Sequence, residues 1–201
     1  MLEVDFTGNY CDATDDGAAR AMGGAVFFSS NYHDLNRCRF DGNSVEGNTP
    51  EYARGGAVYG YNSARPSFLY SEFANNTATR GGAHFYESNC EPFLIGTALR
   101  GNSAIESGGA FYSESATPYI LNCAFQGNAA PDGGAIKTTG SGTSLPYIVD
   151  VEFCGNTVDD ISGDILGGDV GLAISNCILL TGMLQWGVRQ SAEVGTQLID
   201  I

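Results

Sequence analysis

Two short motifs recur along this chain at nearly fixed spacing, and they leave few folds open. Phe-x-Gly-Asn, with small changes, stands at Phe6–Asn9, Phe40–Asn43, Phe73–Asn76, Leu99–Asn102, Phe125–Asn128 and Phe153–Asn156. Gly-Gly-Ala followed by a mostly apolar residue stands at Gly23–Val26, Gly55–Val58, Gly81–His84, Gly108–Phe111 and Gly133–Ile136, with Ser162–Ile165 as a degraded copy. Pro66, Pro92, Pro118 and Pro146 each precede the Phe position by seven residues. Ile174–Leu179 reads as a seventh, incomplete unit. A unit this short cannot bury its apolar face alone, but stacked copies can.

Each unit holds three short extended runs and no helical periodicity. Pro-x-apolar-apolar opens one strand, the run ending in Phe is the second, and Gly-Gly-Ala-Val begins the third. Successive copies are expected to pair in parallel, about 4.8 Å apart. The predicted fold is therefore all-β: a right-handed parallel β-helix, a solenoid of about seven rungs of three short strands, over residues 1–201 as one domain. The chain begins inside a motif and stops at what looks like an unfinished strand, which reads as a segment of a longer chain.

Column composition supports that register. The Phe position holds Phe6, Phe40, Phe73, Leu99, Phe125, Phe153 and Leu179, and two places earlier stand the smaller Val4, Cys38, Ser71, Thr97, Cys123, Val151 and Cys177. Five places before the Phe position are Leu35, Phe68, Leu94, Ile120, Ile148 and Ile174. Uniform size within a column is what stacked inward ladders require. Outward residues between the first two columns are Arg39, Glu72, Ala98, Ala124, Glu152 and Ile178.

The paired motifs closely resemble the repeat of chlamydial polymorphic outer-membrane proteins, from Phe6 to about Ile165. Related repeats occur in many large surface proteins of bacteria and algae. The resemblance implies an exported autotransporter passenger, displayed as an adhesin on a β-helix rod. The membrane β-barrel that anchors such passengers is not among these residues.

Charge narrows the partners. The formal net charge is −14, which argues against nucleic acid because phosphate binding needs a basic face. No apolar run is long enough to cross a bilayer. The first residues carry acids where a signal peptide has a basic and then an apolar region, so an extracellular or cell-surface location requires an export signal outside this stretch.

The chemistry-bearing residues form no catalytic pattern, and no catalytic residue, cofactor or metal is assigned. The repeated asparagines read as a turn ladder rather than a binding array. Cys38 and Cys123 are three rungs apart, about 14 Å, and Cys123 and Cys177 two rungs, about 10 Å. Both separations exceed disulfide reach, so these three are expected to be free thiols, while a bridge among Cys11, Cys90 and Cys154 stays open. The acids Asp15, Asp16, Asp159, Asp160 and Asp164 lack calcium-loop spacing and read as solvated turns. Arg54 and Arg80 precede Gly-Gly in adjacent units, where later units have Ser107 and Asp132. His33 and His84 fall in different columns, and His84 takes an apolar position, so it reads as a core residue rather than a catalytic one.

One face invites a partner. If Val26, Val58, Phe111 and Ile136 point inward, then Phe27, Tyr59, Phe85, Tyr112 and Lys137 point outward. These form an aromatic stripe beside a floor of Ala25, Ala57, Ala83, Ala110 and Ala135. Such a stripe either stabilises the sheet or binds a protein, a glycan or another protomer. The function expected is a non-catalytic surface module, an adhesin or structural rod; a polysaccharide-acting β-helix lyase or glycosidase is the alternative. An ice-binding solenoid is set aside for want of outward Thr-x-Thr arrays.

Overall fold

A computed structural model describes residues 4–14, 20–47, 52–140, 145–157 and 160–163, together with the backbone of Leu172–Ile174. The described residues are almost all strand, and every strand pair is parallel. The chain visits four sheets in the same order again and again, rather than the three strand positions expected. The first sheet holds the Phe-motif runs: Val4–Thr7, Cys38–Asp41, Glu72–Ala74, Ala98–Arg100, Ala124–Gln126, Val151–Cys154 and Leu172–Ile174. The second holds the residues after the asparagine, Tyr10–Ala13, Ser44–Gly47, Thr77–Arg80 and Ser103–Ser107, with the short pieces Ala21–Met22 and Ala53–Arg54. The third begins after Gly-Gly-Ala, at Val26–Ser29, Val58–Tyr61, His84–Glu87, Phe111–Glu114, Ile136–Thr139 and Ile161–Ser162. The fourth contains Tyr32–Asn36, Arg65–Leu69, Phe93–Ile95, Tyr119–Leu121 and Tyr147–Val149.

Left-handed residues make the corners. Single residues at positive φ, such as Arg37, Tyr70, Asn122 and Asp150, separate the fourth sheet from the first. At the motif's Gly position one repeat has Asn75 at φ 55°, which asparagine tolerates better than other side chains. The Gly-Gly pair has two separate causes. Gly55 sits at φ 67°, and a Cβ on Gly56 would lie 2.1 Å from the carbonyl oxygen of Gly82 in the next repeat. The first glycine is needed for its dihedral and the second for close approach of two backbones.

The expected columns are present in register. Phe6, Phe40, Phe73, Leu99, Phe125 and Phe153 pair in sequence, and Phe40, Phe73, Leu99 and Phe125 are wholly buried. Phe40 and Phe73 stack at 4.5 Å. Leu35, Phe68, Leu94, Ile120 and Ile148 form the second ladder, and Val26, Val58, His84, Phe111, Ile136 and Ile161 the third. At the seventh unit the backbone differs from expectation. Phe153 pairs with Ile174, so Ile174 shares the register of the Phe column instead of standing five places before it. Leu179, Ile178 and Cys177 lie outside the described residues.

Asparagines tie the repeats together. Asn43, Asn76, Asn102 and Asn128 are completely buried. Each Nδ2 donates to the Oδ1 of the next, at 2.9 Å from Asn43 to Asn76 and from Asn76 to Asn102, and 3.0 Å from Asn102 to Asn128. Each also donates to a backbone oxygen one repeat back, as Asn102 does to Phe73 at 3.0 Å. Every buried amide hydrogen therefore has an acceptor, which removes the cost of burying the group.

Cys11, Cys38, Cys90 and Cys123 are free thiols, so no bridge joins Cys11 to Cys90. Cys154 is disulfide-bonded. Burial pushes the Cys90 and Cys123 thiols up to about 11. No helix among the described residues is long and apolar enough to cross a membrane.

Candidate functional site

The third sheet places Phe27, Tyr59, Phe85 and Tyr112 in one register on the side away from the main core, followed by Lys137 and Ser162. The rings stack in series at 5.3 Å, 5.7 Å and 4.8 Å. Only Phe27 is open, at 50% exposure; Tyr59, Phe85 and Tyr112 are buried in a small cluster of their own, with Met22 against it. The stripe read from the sequence as one open face is thus covered over most of its length by the chain itself. The alanines do not form its floor: Ala57, Ala83, Ala110 and Ala135 belong to the main core.

The Gly-Gly turn explains the cover. It folds the end of the second sheet back against the outer side of the third. A Cβ on Gly81 would lie 3.2 Å from that of Phe85, and one on Gly108 would lie 3.1 Å from that of Tyr112. Arg54, just before the turn, places its guanidinium 4.8 Å from the Phe85 ring centre. Its Nη1 lies 2.7 Å from Glu87 Oε2 and 3.7 Å from Glu114 Oε2. The Tyr59 hydroxyl donates to the other oxygen of Glu87. Burial, and then this bond, hold the Tyr59 hydroxyl well above the ordinary phenol range. Arg80 pairs with Glu106 at 2.7 Å, and Lys137 with Asp132 at 2.8 Å.

This arrangement restricts the chemistry available. Both oxygens of Glu87 are engaged, one by Arg54 and the other by Tyr59. Stacking and burial hide the ring faces of Tyr59, Phe85 and Tyr112 that a sugar would pack against, and leave Phe27 as the open ring of the four. The sequence reading singled out Arg54 and Arg80 but did not join them to the stripe. The available signal was spacing: in two adjacent units an arginine stands five residues before the aromatic, Arg54 before Tyr59 and Arg80 before Phe85.

A second outward face escaped the sequence reading. On the fourth sheet Phe93, Tyr119 and Tyr147 form one outward column, and Leu69, Ile95, Leu121 and Val149 another. All seven are half-buried. Phe93 and Tyr119 stack at 4.6 Å, and Tyr70 beside them is 64% exposed. The signal lay in Pro-x-apolar-apolar, whose x and final residues alternate with the inward one.

The two histidines are apart. His84 is fully buried among Phe68, Phe73 and Phe111, with Nδ1 3.1 Å from the Tyr86 hydroxyl and Nε2 unpartnered. His33 is exposed and stacks on Phe28 at 4.8 Å. Asp160 accepts a hydrogen bond from Asn156, at 2.8 Å. Asp15, Asp16, Asp159 and Asp164 lie outside the described residues.

No protein-family model matches the chain. No solved structure matches it either. Mouse ATP-binding cassette sub-family C member 4 is 56% identical to it over 34 residues, which is 17% of this chain and 3% of that protein. The shared stretch is thus a small fraction of either protein.

Proposed function

We propose that the four sheets close into a right-handed parallel β-helix of about seven rungs. In this reading it is a non-catalytic extracellular or cell-surface module, adhesin-like or a structural rod. Right-handedness follows the strong preference of parallel crossovers. The observation that carries the functional reading is where the repeated residues are used. The asparagines, the glycine pairs and the Phe column all contact their counterparts one repeat away. A sequence whose recurring chemistry holds repeats together is organised as a scaffold, and function then lies on its outward faces. The resemblance to the polymorphic outer-membrane repeat supports display outside the cell. The outward fourth-sheet columns and the open ring of Phe27 are the surfaces offered to a protein partner.

Glu87 and Glu114 give the alternative its one specific support, since both approach the same arginine. Incubation with a panel of neutral and acidic polysaccharides, with and without calcium, tests the choice. No product release is expected. Release that Glu114→Gln abolishes would establish a polysaccharide-acting enzyme instead. Binding of labelled protein to cells and extracellular matrix, lost in Tyr119→Ser/Leu121→Ser, is the positive result expected of the module.

A further inference from the structure

The corner between the first and second sheets is turned by a residue at positive φ in each Phe-motif repeat. It is glycine at Gly8, Gly42, Gly101, Gly127 and Gly155, with φ from 60° to 64°, and asparagine at Asn75, with φ 55°. The corner faces open space. A Cβ on Gly8, Gly42, Gly127 or Gly155 would meet nothing within 4 Å, and one on Gly101 would meet the Asn75 side chain at 3.0 Å. Asn75 is thus the one member of this column that carries a side chain, and it is exposed.

Its sequence context is also singular. Asn75-Asn76-Thr77 is the one Asn-x-Ser/Thr triplet in the chain. That triplet is the acceptor signal for N-linked glycosylation, which needs an accessible carboxamide and a hydroxyl two residues on. The register sorts the three residues: Asn75 and Thr77 are exposed, and Asn76 is wholly buried. Asn76 Nδ2 donates inward, to the Phe40 carbonyl at 3.0 Å and to Asn102 Oδ1 at 2.9 Å. Asn75 Nδ2 instead donates at the surface, to Asp41 Oδ1 at 2.9 Å. Ser44 and Ser103 pair with Thr77 and supply the same hydroxyl in the flanking repeats, but Gly42 and Gly101 stand two residues before them. The acceptor is complete in this repeat alone.

We propose that Asn75 is a modification site carrying an N-linked oligosaccharide on this open corner. The proposal rests on the extracellular reading above, since the modification is made on exported chains. The donor is an oligosaccharide joined through a diphosphate to a polyprenol lipid, and a membrane oligosaccharyltransferase brings the two together. Asn75 Nδ2 attacks the anomeric carbon. The N–C bond forms as the bond from that carbon to the diphosphate oxygen breaks, the lipid diphosphate leaves with the electron pair, and one Nδ2 proton passes to solvent. The other Nδ2 hydrogen remains to donate to Asp41. The corner accepts the product because the positive φ and the open space around it are already those of the glycine repeats. The first sheet separates this corner from the outward columns of the fourth, so the glycan and the proposed partner surface do not coincide.

The test takes the full chain secreted from yeast behind a cleavable signal peptide, and the protein recovered from the cells that make it, separated into extracellular and cytosolic fractions. Intact mass is expected to show a glycan adduct in both exported preparations, and peptide:N-glycosidase is expected to remove it and leave aspartate at position 75. Asn75→Gly, the residue of the other repeats, and Thr77→Ala should each abolish the adduct, and Thr77→Ser should keep it. Side-chain amide exchange at Asn76 and Asn102 should be as slow in the occupied protein as in Asn75→Gly. An exported chain with Asn75 bare overturns the site. So does an occupied chain whose Asn76 exchanges faster than in Asn75→Gly, because the glycan would then be at odds with the folded corner. A bare chain confined to the cytosol overturns the extracellular reading, and the site with it.

Discussion

His84 stands where Val58 and Phe111 stand in the adjacent repeats. Burial alone lowers its ring from the ordinary 6.5 to about 3, so it is neutral in the folded protein. The unfolded chain takes up a proton near 6.5 and the folded one does not. Stability is therefore complete above 6.5 and is lost as pH falls from there toward 3. Between pH 7 and pH 5 the loss is expected to be about 2 kcal/mol, seen as a falling urea midpoint. His84→Phe should flatten that slope, and an equal slope in the variant would contradict the assignment. Phe125 lies wholly buried between Leu99 and Phe153, and Phe125→Ala should cost about 3–5 kcal/mol in denaturant unfolding. Cys90 and Cys123, with thiols raised to about 11, should alkylate at pH 8 only as the protein unfolds, whereas half-buried Cys11 should react in the native state. Column membership made His84 and Phe125 legible from the sequence. The pairing of His84 with Tyr86 was not, because it depends on which side chains meet across the interior.

Elements were legible where they carry large apolar residues. The first, third and fourth sheets follow columns of Phe, Leu, Ile and Val that recur at fixed spacing. The second sheet was missed because its strands bury little: Val45 and Ala78 pack with Ala13, Ala21 and Ala53 in a small cluster apart from the main core, and these residues are too small to stand out. Its strands are set by the turns that flank them, the asparagine corner on one side and Gly-Gly on the other. Each corner gives a prediction. Asn102→Ala removes the acceptor of both Asn76 donors and should destabilise by about 2–6 kcal/mol, at about 1–3 kcal/mol per orphaned buried group. Asn9→Ala, at the exposed end, should cost far less. Gly56→Ala forces a methyl toward the Gly82 carbonyl and should cost at least about 1–3 kcal/mol, as overpacking does. Equal effects of Asn9→Ala and Asn102→Ala on the thermal midpoint would contradict the ladder. The aromatic stripe was legible as a register but not as a buried one, since its cover comes from Arg54 and Met22 across a turn.

At the scale of the whole molecule, order comes from repetition. Each repeat contacts the one before and after, so stability accumulates along the stack rather than in one centre. The net charge of −14 works against close side-by-side association of such stacks, and low salt should strengthen that repulsion. The most direct test of the stacked architecture is an NMR measurement of through-space contacts among side-chain amides labelled with nitrogen-15. Asn76 and Asn102 are predicted to show a strong amide-to-amide contact across 26 residues of sequence, with exchange slowed by burial, and the same contact should recur from Asn102 to Asn128. Rapidly exchanging amides at these positions, with no contact between successive asparagines, would contradict it.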